Sequence, residues 1–116
     1  MFSSTSYAEW TKLGKNVDGD TFYMDFDRIR EVDGYVYFWR LTDYLKPTKF
    51  GHLSAKVYIQ GDCKRFRFKN LSATFHKEPM GGGTVDRNSP QNPEWVYPPP
   101  NSTGEAILKS VCEFTK

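Results

Sequence analysis

The sequence predicts a single α+β domain: an antiparallel β-sheet of about five to six strands with a C-terminal α-helix packed on one face. Short runs rich in aromatic and β-branched residues alternate with Gly, Asn and Asp turn signals, which is typical of antiparallel strands. A single apolar stripe at helical spacing stands at the end of the chain. With 116 residues there is room for one domain, which we place at residues 1–116.

The N-terminal segment predicts a β-hairpin. A strand over residues 7–13 leads to residues 16–20, whose Asp-Gly pair is typical of a tight turn, and residues 21–26 return as the second strand. Asn16, Asp18 and Asp20 in this turn stand at calcium-loop positions one, three and five, but the glycine and glutamate that such a loop needs are absent. We therefore expect no metal ion here and no cofactor elsewhere, and residues 1–6 are expected to be disordered.

The middle of the chain predicts the rest of the sheet. Residues 35–44 form the longest candidate strand, with apolar side chains on both faces, which is typical of a central strand. Residues 53–60, 63–68 and 71–76 are further strands, with turns at residues 61–62 and 69–70. From residue 78 to residue 101 the composition shifts to Gly and Pro, which predicts a long irregular loop.

The C-terminal segment predicts the helix. Ser102 and Glu105 form a capping box, in which each side chain accepts a hydrogen bond from the other residue's backbone amide. The apolar stripe behind it consists of Ile107, Leu108, Val111 and Cys112. This stripe must pack on the sheet, and we expect its partners to be Trp10, Tyr37 or Trp39, and Phe66 or Phe68.

Composition and charge exclude several classes of protein. A net charge of +2 is too small to draw in a nucleic acid by itself, and no apolar run is long enough to span a membrane. The first residues lack the features of a signal peptide, so the protein is either cytosolic or has lost a leader.

The two cysteines, Cys63 and Cys112, lie 49 residues apart, without the spacing of a zinc or redox site. Cys112 lies on the helix face that packs on the sheet, and Cys63 begins a strand. This placement is compatible with the Cα separation of about 4.4 to 6.8 Å that a disulfide needs.

Two groups of residues could carry catalysis. Cys112 with His52 or His76 could act as nucleophile and base, and Asp25 with Asp27 could act as an acid and base pair on one strand face. No pocket signature accompanies either group. We favour a structural cysteine and a solvated sheet edge.

The run at residues 64–69 is the most informative local pattern. Alternation directs Phe66 and Phe68 toward the core and places a row of cations on the opposite face, namely Arg65, Arg67 and Lys69. The preceding loop adds Lys46 and Lys49. These five cations are the candidate binding residues for an acidic partner, although an exposed sheet face kept soluble by charge is the simpler explanation of the row.

The order of landmarks along the chain resembles the surface-adhesin protein E-like domain family of bacteria. The landmarks run from about Trp10 to Cys112 and comprise Trp10, residues 23–25, 37–39, 53–55, 62–63 and 79–80, Trp95, and the helix that bears Cys112. The resemblance implies an antiparallel sheet, a helix on one face and a disulfide between Cys63 and Cys112. It also implies export, often as a lipoprotein or surface protein, and the adhesin that names the family binds host matrix and plasma proteins.

We therefore expect an exported, non-enzymatic binding domain that recognises a protein or cell-surface ligand. An acidic ligand would suit the five candidate cations best. Its location would be the periplasm, the outer-membrane surface or the medium, after removal of a signal peptide. The alternatives are a structural or assembly component of the cell envelope and a small hydrolase that uses Asp25 or a histidine. No nucleic-acid partner is expected, and a homo-oligomer stays open.

Overall fold

The computed structural model describes residues 9–116 and shows seven strands followed by one α-helix. The strands are β1 (Thr11–Lys15), β2 (Thr21–Met24), β3 (Arg30–Val32), β4 (Tyr35–Asp43), β5 (Ser54–Asp62), β6 (Arg67–His76) and β7 (Val85–Asn88), and the helix is α1 (Thr103–Phe114). Two short 3-10 turns lie at Phe26–Arg28 and Pro79–Gly81. The predicted fold class is therefore confirmed.

The strands form one antiparallel sheet in the order β1-β2-β4-β5-β6-β7. β2 and β3 lie end to end along the same edge of β4, because the 3-10 turn at Phe26–Arg28 interrupts what would otherwise be one strand. Asp25 caps this turn by accepting a hydrogen bond from the Asp27 amide, 3.1 Å away.

The core lies between one face of the sheet and the helix. Its buried cluster consists of Phe22, Met24, Val36, Phe38, Val57, Ile59, Ile107 and Val111. Gly61 allows the helix to approach closely, because a Cβ atom there would lie 3.0 Å from Leu108 Cδ1 and 2.8 Å from Val36 Cγ2. The apolar stripe of the helix therefore packs as predicted.

The predicted partners of that stripe are largely wrong. Tyr37 and Trp39 lie on the opposite face, because alternation along β4 directs Val36 and Phe38 to the helix. Trp10 lines a cavity together with Trp39 instead. Among the predicted aromatic partners, Phe68 does pack against the core cluster.

Several strand boundaries differ from the prediction. β6 is continuous through residues 69–70, and an irregularity in its pairing with β5 between Tyr58 and Ile59 absorbs the extra residue. Residues 61–62 belong to β5, and the turn lies at residues 63–66. β3 and β7 were not predicted, and β7 lies within the segment expected to be an irregular loop. The expectations for residues 1–6, and for a strand beginning at residue 7, fall outside the described residues.

The helix begins and is anchored as its sequence indicates. Ser102 Oγ accepts a hydrogen bond from the Glu105 amide at 3.1 Å, while the Glu105 carboxylate accepts from the Asn101 amide, one residue before the predicted cap amide. The disulfide between Cys63 and Cys112 is confirmed, with a Cα separation of 5.7 Å. Within residues 9–116, α1 is too short and too polar to span a bilayer, and it is the sole α-helix there.

Candidate functional site

The sheet face opposite the helix carries a row of aromatic side chains, which we call the aromatic face. It consists of Tyr35, Tyr37, Trp39, Tyr58 and Trp95, all partly exposed. Ring centroids are 5.8 Å apart for Tyr35 and Trp95, 6.2 Å for Tyr37 and Tyr58, and 4.8 Å for Trp39 and Tyr58. These spacings are typical of interacting aromatic pairs, so the rings form a nearly continuous surface.

Trp95 reaches this face although it follows a Pro- and Gly-rich segment. The next residue, Val96, forms a two-way backbone bridge with Phe68, with N–O distances of 3.0 and 2.7 Å. The bridge holds Trp95 beside β6. The Arg67 guanidinium then lies 4.0 Å from the Trp95 ring centroid, and the Lys69 ammonium lies 4.6 Å from it. We call Tyr35, Arg67, Lys69 and Trp95 the Trp95 cluster.

Arg67 is also fixed by a buried carboxylate. Its Nε donates to Asp62 Oδ2 at 2.9 Å, and the Arg65 amide donates to Asp62 Oδ1 at 3.2 Å. Burial by itself would raise the pKa of Asp62, but the hydrogen bonds from Arg67 and from the Arg65 backbone outweigh burial and lower this pKa below its usual value. Arg67 therefore has a structural role as well as a place on the surface.

The predicted row of exposed cations is thus only partly correct. Arg65 is exposed, but it lies in the turn before β6, and only 13% of the Arg67 side chain is exposed. The row breaks because Phe66 adopts a left-handed backbone conformation, with φ of 52°, so strand alternation begins at Arg67.

The loop cations lie elsewhere. Lys46 and Lys49 are exposed in the β4–β5 loop, and the Lys49 ammonium lies 5.1 Å from the Phe50 ring centroid. This loop precedes β5, whereas Arg65 and Arg67 follow it, and the nine residues of β5 span about 26 Å. The five predicted cations therefore form two separate groups at opposite ends of β5.

Neither pair considered for catalysis is present in the predicted form, although Asp25 and His76 line the cavity that Trp10 and Trp39 also line. Asp25 is buried and Asp27 is exposed in the 3-10 turn, and the sulfur of Cys112 is bonded to Cys63. His52 Nε2 contacts Asp86 Oδ2 at 2.7 Å, and His76 Nε2 contacts Thr74 Oγ1 at 2.9 Å. Across residues 9–116, no group of three or more His, Cys, Asp and Glu side chains is arranged to hold a metal ion.

The aromatic residues are the part of the site that the sequence pattern does not predict. The predicted alternation of Tyr35, Tyr37 and Trp39 along β4 is confirmed, but their face is the one opposite the helix and not the one beneath it. Trp95 and Tyr97 are aromatic residues within an otherwise Gly- and Pro-rich segment. This pattern is the signal that could have identified a part of the loop that packs on the sheet.

Arg67→Gln tests the structural role of Arg67. A carboxyl group whose pKa is lower in the folded state stabilises the protein above its unfolded pKa of about 3.9, and this contribution is lost as pH falls through the folded pKa. We expect Arg67→Gln to lower the melting temperature at neutral pH and to reduce the further loss between about pH 5 and pH 2. Thermal unfolding across this range measures both effects.

Arg65→Gln is the matched control for this prediction. It keeps the backbone hydrogen bond to Asp62 and removes only a more distant charge, so its effect should be smaller. Identical acid profiles for the wild type and Arg67→Gln would contradict the role assigned to Arg67.

Comparison with known proteins gives one family and one fold. The profile of a family described as surface-adhesin protein E matches residues 10–113. A structure of Haemophilus influenzae protein E in crystal form II has a TM-score of 0.69 and 19% identity, covering 98% of this chain and 95% of that chain. A second structure of the same protein has a TM-score of 0.64 and 19% identity, covering 96% and 89%. No curated protein sequence matches significantly.

Proposed function

Because the chain belongs to the surface-adhesin protein E family, we propose that it is an adhesin-like surface protein that binds an acidic protein or surface ligand through the Trp95 cluster. The observation that carries this proposal is the position of Arg67 and Lys69 over one Trp95 ring, on the face that the helix leaves open. Tryptophan and arginine are the residue types that most often dominate binding energy at protein interfaces.

The arrangement is suited to binding because much of it is already ordered. Asp62 holds the Arg67 guanidinium, and the Val96 bridge holds Trp95, so little side-chain freedom is lost when a partner binds. Lys69 forms no salt bridge with any residue from 9 to 116, so its charge is available to a carboxylate, sulfate or phosphate group of the partner.

We further propose that the protein is exported and that its role is non-catalytic. The Cys63–Cys112 disulfide supports export, because such bonds persist in oxidising compartments. The Asp25 carboxylate is engaged in capping the Asp27 amide, and Cys112 is engaged in the disulfide, which supports a binding role rather than hydrolysis.

Lys69→Ala is the variant that separates binding from folding. Exposed and half-exposed lysines contribute little to stability, so we expect the melting temperature to change by no more than a degree or two. Binding to immobilised matrix and plasma proteins, measured by biolayer interferometry, should weaken several-fold for any partner found. It should also fall as salt is added, because screened charges contribute to it.

Lys109→Ala removes an exposed charge from the helix and should leave binding unchanged, which makes it the control. Trp95→Ala should weaken binding further, since it removes the ring that both cations contact. If the affinity for a partner is unchanged by Lys69→Ala, by Trp95→Ala and by added salt, this site is refuted. A partner lost only with Lys46→Ala and Lys49→Ala would place the site in the β4–β5 loop.

A further inference from the structure

A second candidate site lies on the same face as the Trp95 cluster, toward the other end of the strands. Here β5, β6 and β7 meet Trp10 and border a half-open cavity of about 310 Å³. The Trp10 and Trp39 rings, the Lys56 and Arg87 cations and the Thr74 side chain all line it. Its volume is at the lower end of the range for small-molecule sites, so it fits a small ligand rather than a chain segment.

The charge of this cavity is positive and uncompensated. In register, Lys56 pairs with Thr74 and Thr74 pairs with Arg87, so two cations flank one hydroxyl across three neighbouring strands. Neither cation forms a salt bridge with a described residue. The carboxylate in the wall, Asp25, is 1% exposed, and its Oδ2 lies 3.2 Å from Arg28 Nε. The backbones of Lys56 and Arg87 are two strand spacings apart, about 10 Å, which leaves room for a small anion between their long side chains.

The wall also contains a polar group without a partner. His76 is 2% exposed, and its Nε2 is engaged with Thr74 Oγ1, whereas its buried Nδ1 has no hydrogen-bond partner among residues 9–116. Burial, followed by the nearby charges of Lys56 and His52, lowers the pKa of His76, so its ring is neutral near pH 7. Buried polar atoms left without a partner are rare in proteins, so a water molecule or a bound group at this wall would satisfy His76 Nδ1.

The position of Lys56 is fixed by the turn at Pro79–Gly81. A Cβ atom on Gly81, whose φ is 77°, would lie 3.3 Å from Lys56 Cε, so the glycine backbone packs on the lysine stem. The Gly81 amide donates to Ser54 Oγ at 2.9 Å, which ties this turn to β5. The ammonium group is therefore held at the cavity instead of moving freely in solvent.

We propose that this cavity binds a small organic anion, in which a carboxylate or phosphate group lies between Lys56 and Arg87 and a planar apolar body lies against Trp10 and Trp39. Charged hydrogen bonds to the anion and burial of its ring against two indoles would act together. The proposal goes beyond the adhesin-like function, because it uses different residues from the Trp95 cluster.

Phenyl phosphate is the probe for this site, with benzyl alcohol as its neutral counterpart and inorganic phosphate as the anion without a ring. In ¹⁵N-labelled protein, the indole N–H signals of the three tryptophans are assigned by Trp→Phe variants. We expect phenyl phosphate to shift the Trp10 and Trp39 signals together along one saturable titration curve, and any shift of Trp95, which has its own two cations, to follow a separate curve. Both other probes should bind at least about tenfold more weakly, since each lacks one of the two contacts.

Lys56→Met keeps the stem of the lysine and removes its charge, so we expect about a tenfold or larger loss of affinity for phenyl phosphate. Should Lys56→Met fail to fold, Arg87→Ala on the exposed strand β7 provides the same test. Lys69→Ala alters the Trp95 cluster alone and should leave the affinity unchanged, so this site and the adhesin-like function can fail separately.

Four results would overturn the proposal. The first is equal binding of benzyl alcohol and phenyl phosphate, and the second is a shift confined to Trp95. The third is unchanged affinity in a folded Lys56→Met variant. The absence of any saturable shift up to about 10 mM phenyl phosphate, a concentration that fills even a weak small-molecule site, would overturn it as well.

Discussion

Replacing Cys63 and Cys112 by serine is expected to lower the free energy of unfolding by about 4 kcal/mol. The disulfide joins residues 49 positions apart and so removes many conformations from the unfolded chain. A small domain has a total stability of about 5 to 15 kcal/mol, so this loss would leave the protein marginally stable or unfolded at 37 °C.

Urea denaturation of the wild type and the double variant measures the loss. Intact mass before and after reduction supplies the control, since oxidised protein should gain the mass of two hydrogens. A stability loss below about 1 kcal/mol would contradict the expected constraint on the unfolded chain. Two free thiols in unreduced protein from an oxidising compartment would contradict the bond itself.

Leu108→Ala is expected to cost about 2 to 5 kcal/mol of stability. Leu108 is 1% exposed, and it lies over Gly61 at the centre of the helix–sheet contact. Truncation removes buried apolar surface and leaves a cavity that the rigid sheet below cannot fill. The helix has 12 residues, too few for stability in isolation, so it depends on this packing.

Lys109→Ala is the control for the helix, because Lys109 is the exposed neighbour of Leu108. Its effect should stay within about 0.5 kcal/mol. If Leu108→Ala changes stability as little as Lys109→Ala does, the helix does not contribute to the core, and the described packing is wrong.

Local signals were sufficient to predict most elements of the fold. The Asp-Gly pair predicts the turn between β1 and β2, and the Gly19 amide indeed closes it on the Asn16 carbonyl at 3.1 Å. Ser102 predicts the start of the helix, and Cys112 on its apolar stripe is compatible with the bond to Cys63. Each of these features depends on residues close in sequence or on the regular spacing of apolar residues along a helix or strand.

Short strands escaped prediction because their own sequences are polar. All residues of β3 and β7 are exposed, so neither strand has a buried face whose period can be recognised. They become strands because the edges of β4 and β6 offer unpaired backbone groups to them. The hydrogen bonds that stabilise β3 and β7 come from a neighbouring strand, and the local sequence does not specify that neighbour.

The antiparallel architecture, the capped helix and the alternation of β4 all follow from local sequence patterns. Which face of β4 the helix covers depends on packing in the folded molecule, because alternation is symmetric and both faces carry apolar residues. That choice left Tyr35, Tyr37 and Trp39 on the open face. It also allowed Trp95 to join Arg67 from 28 residues away in sequence, because contacts between distant segments form only once the chain is folded.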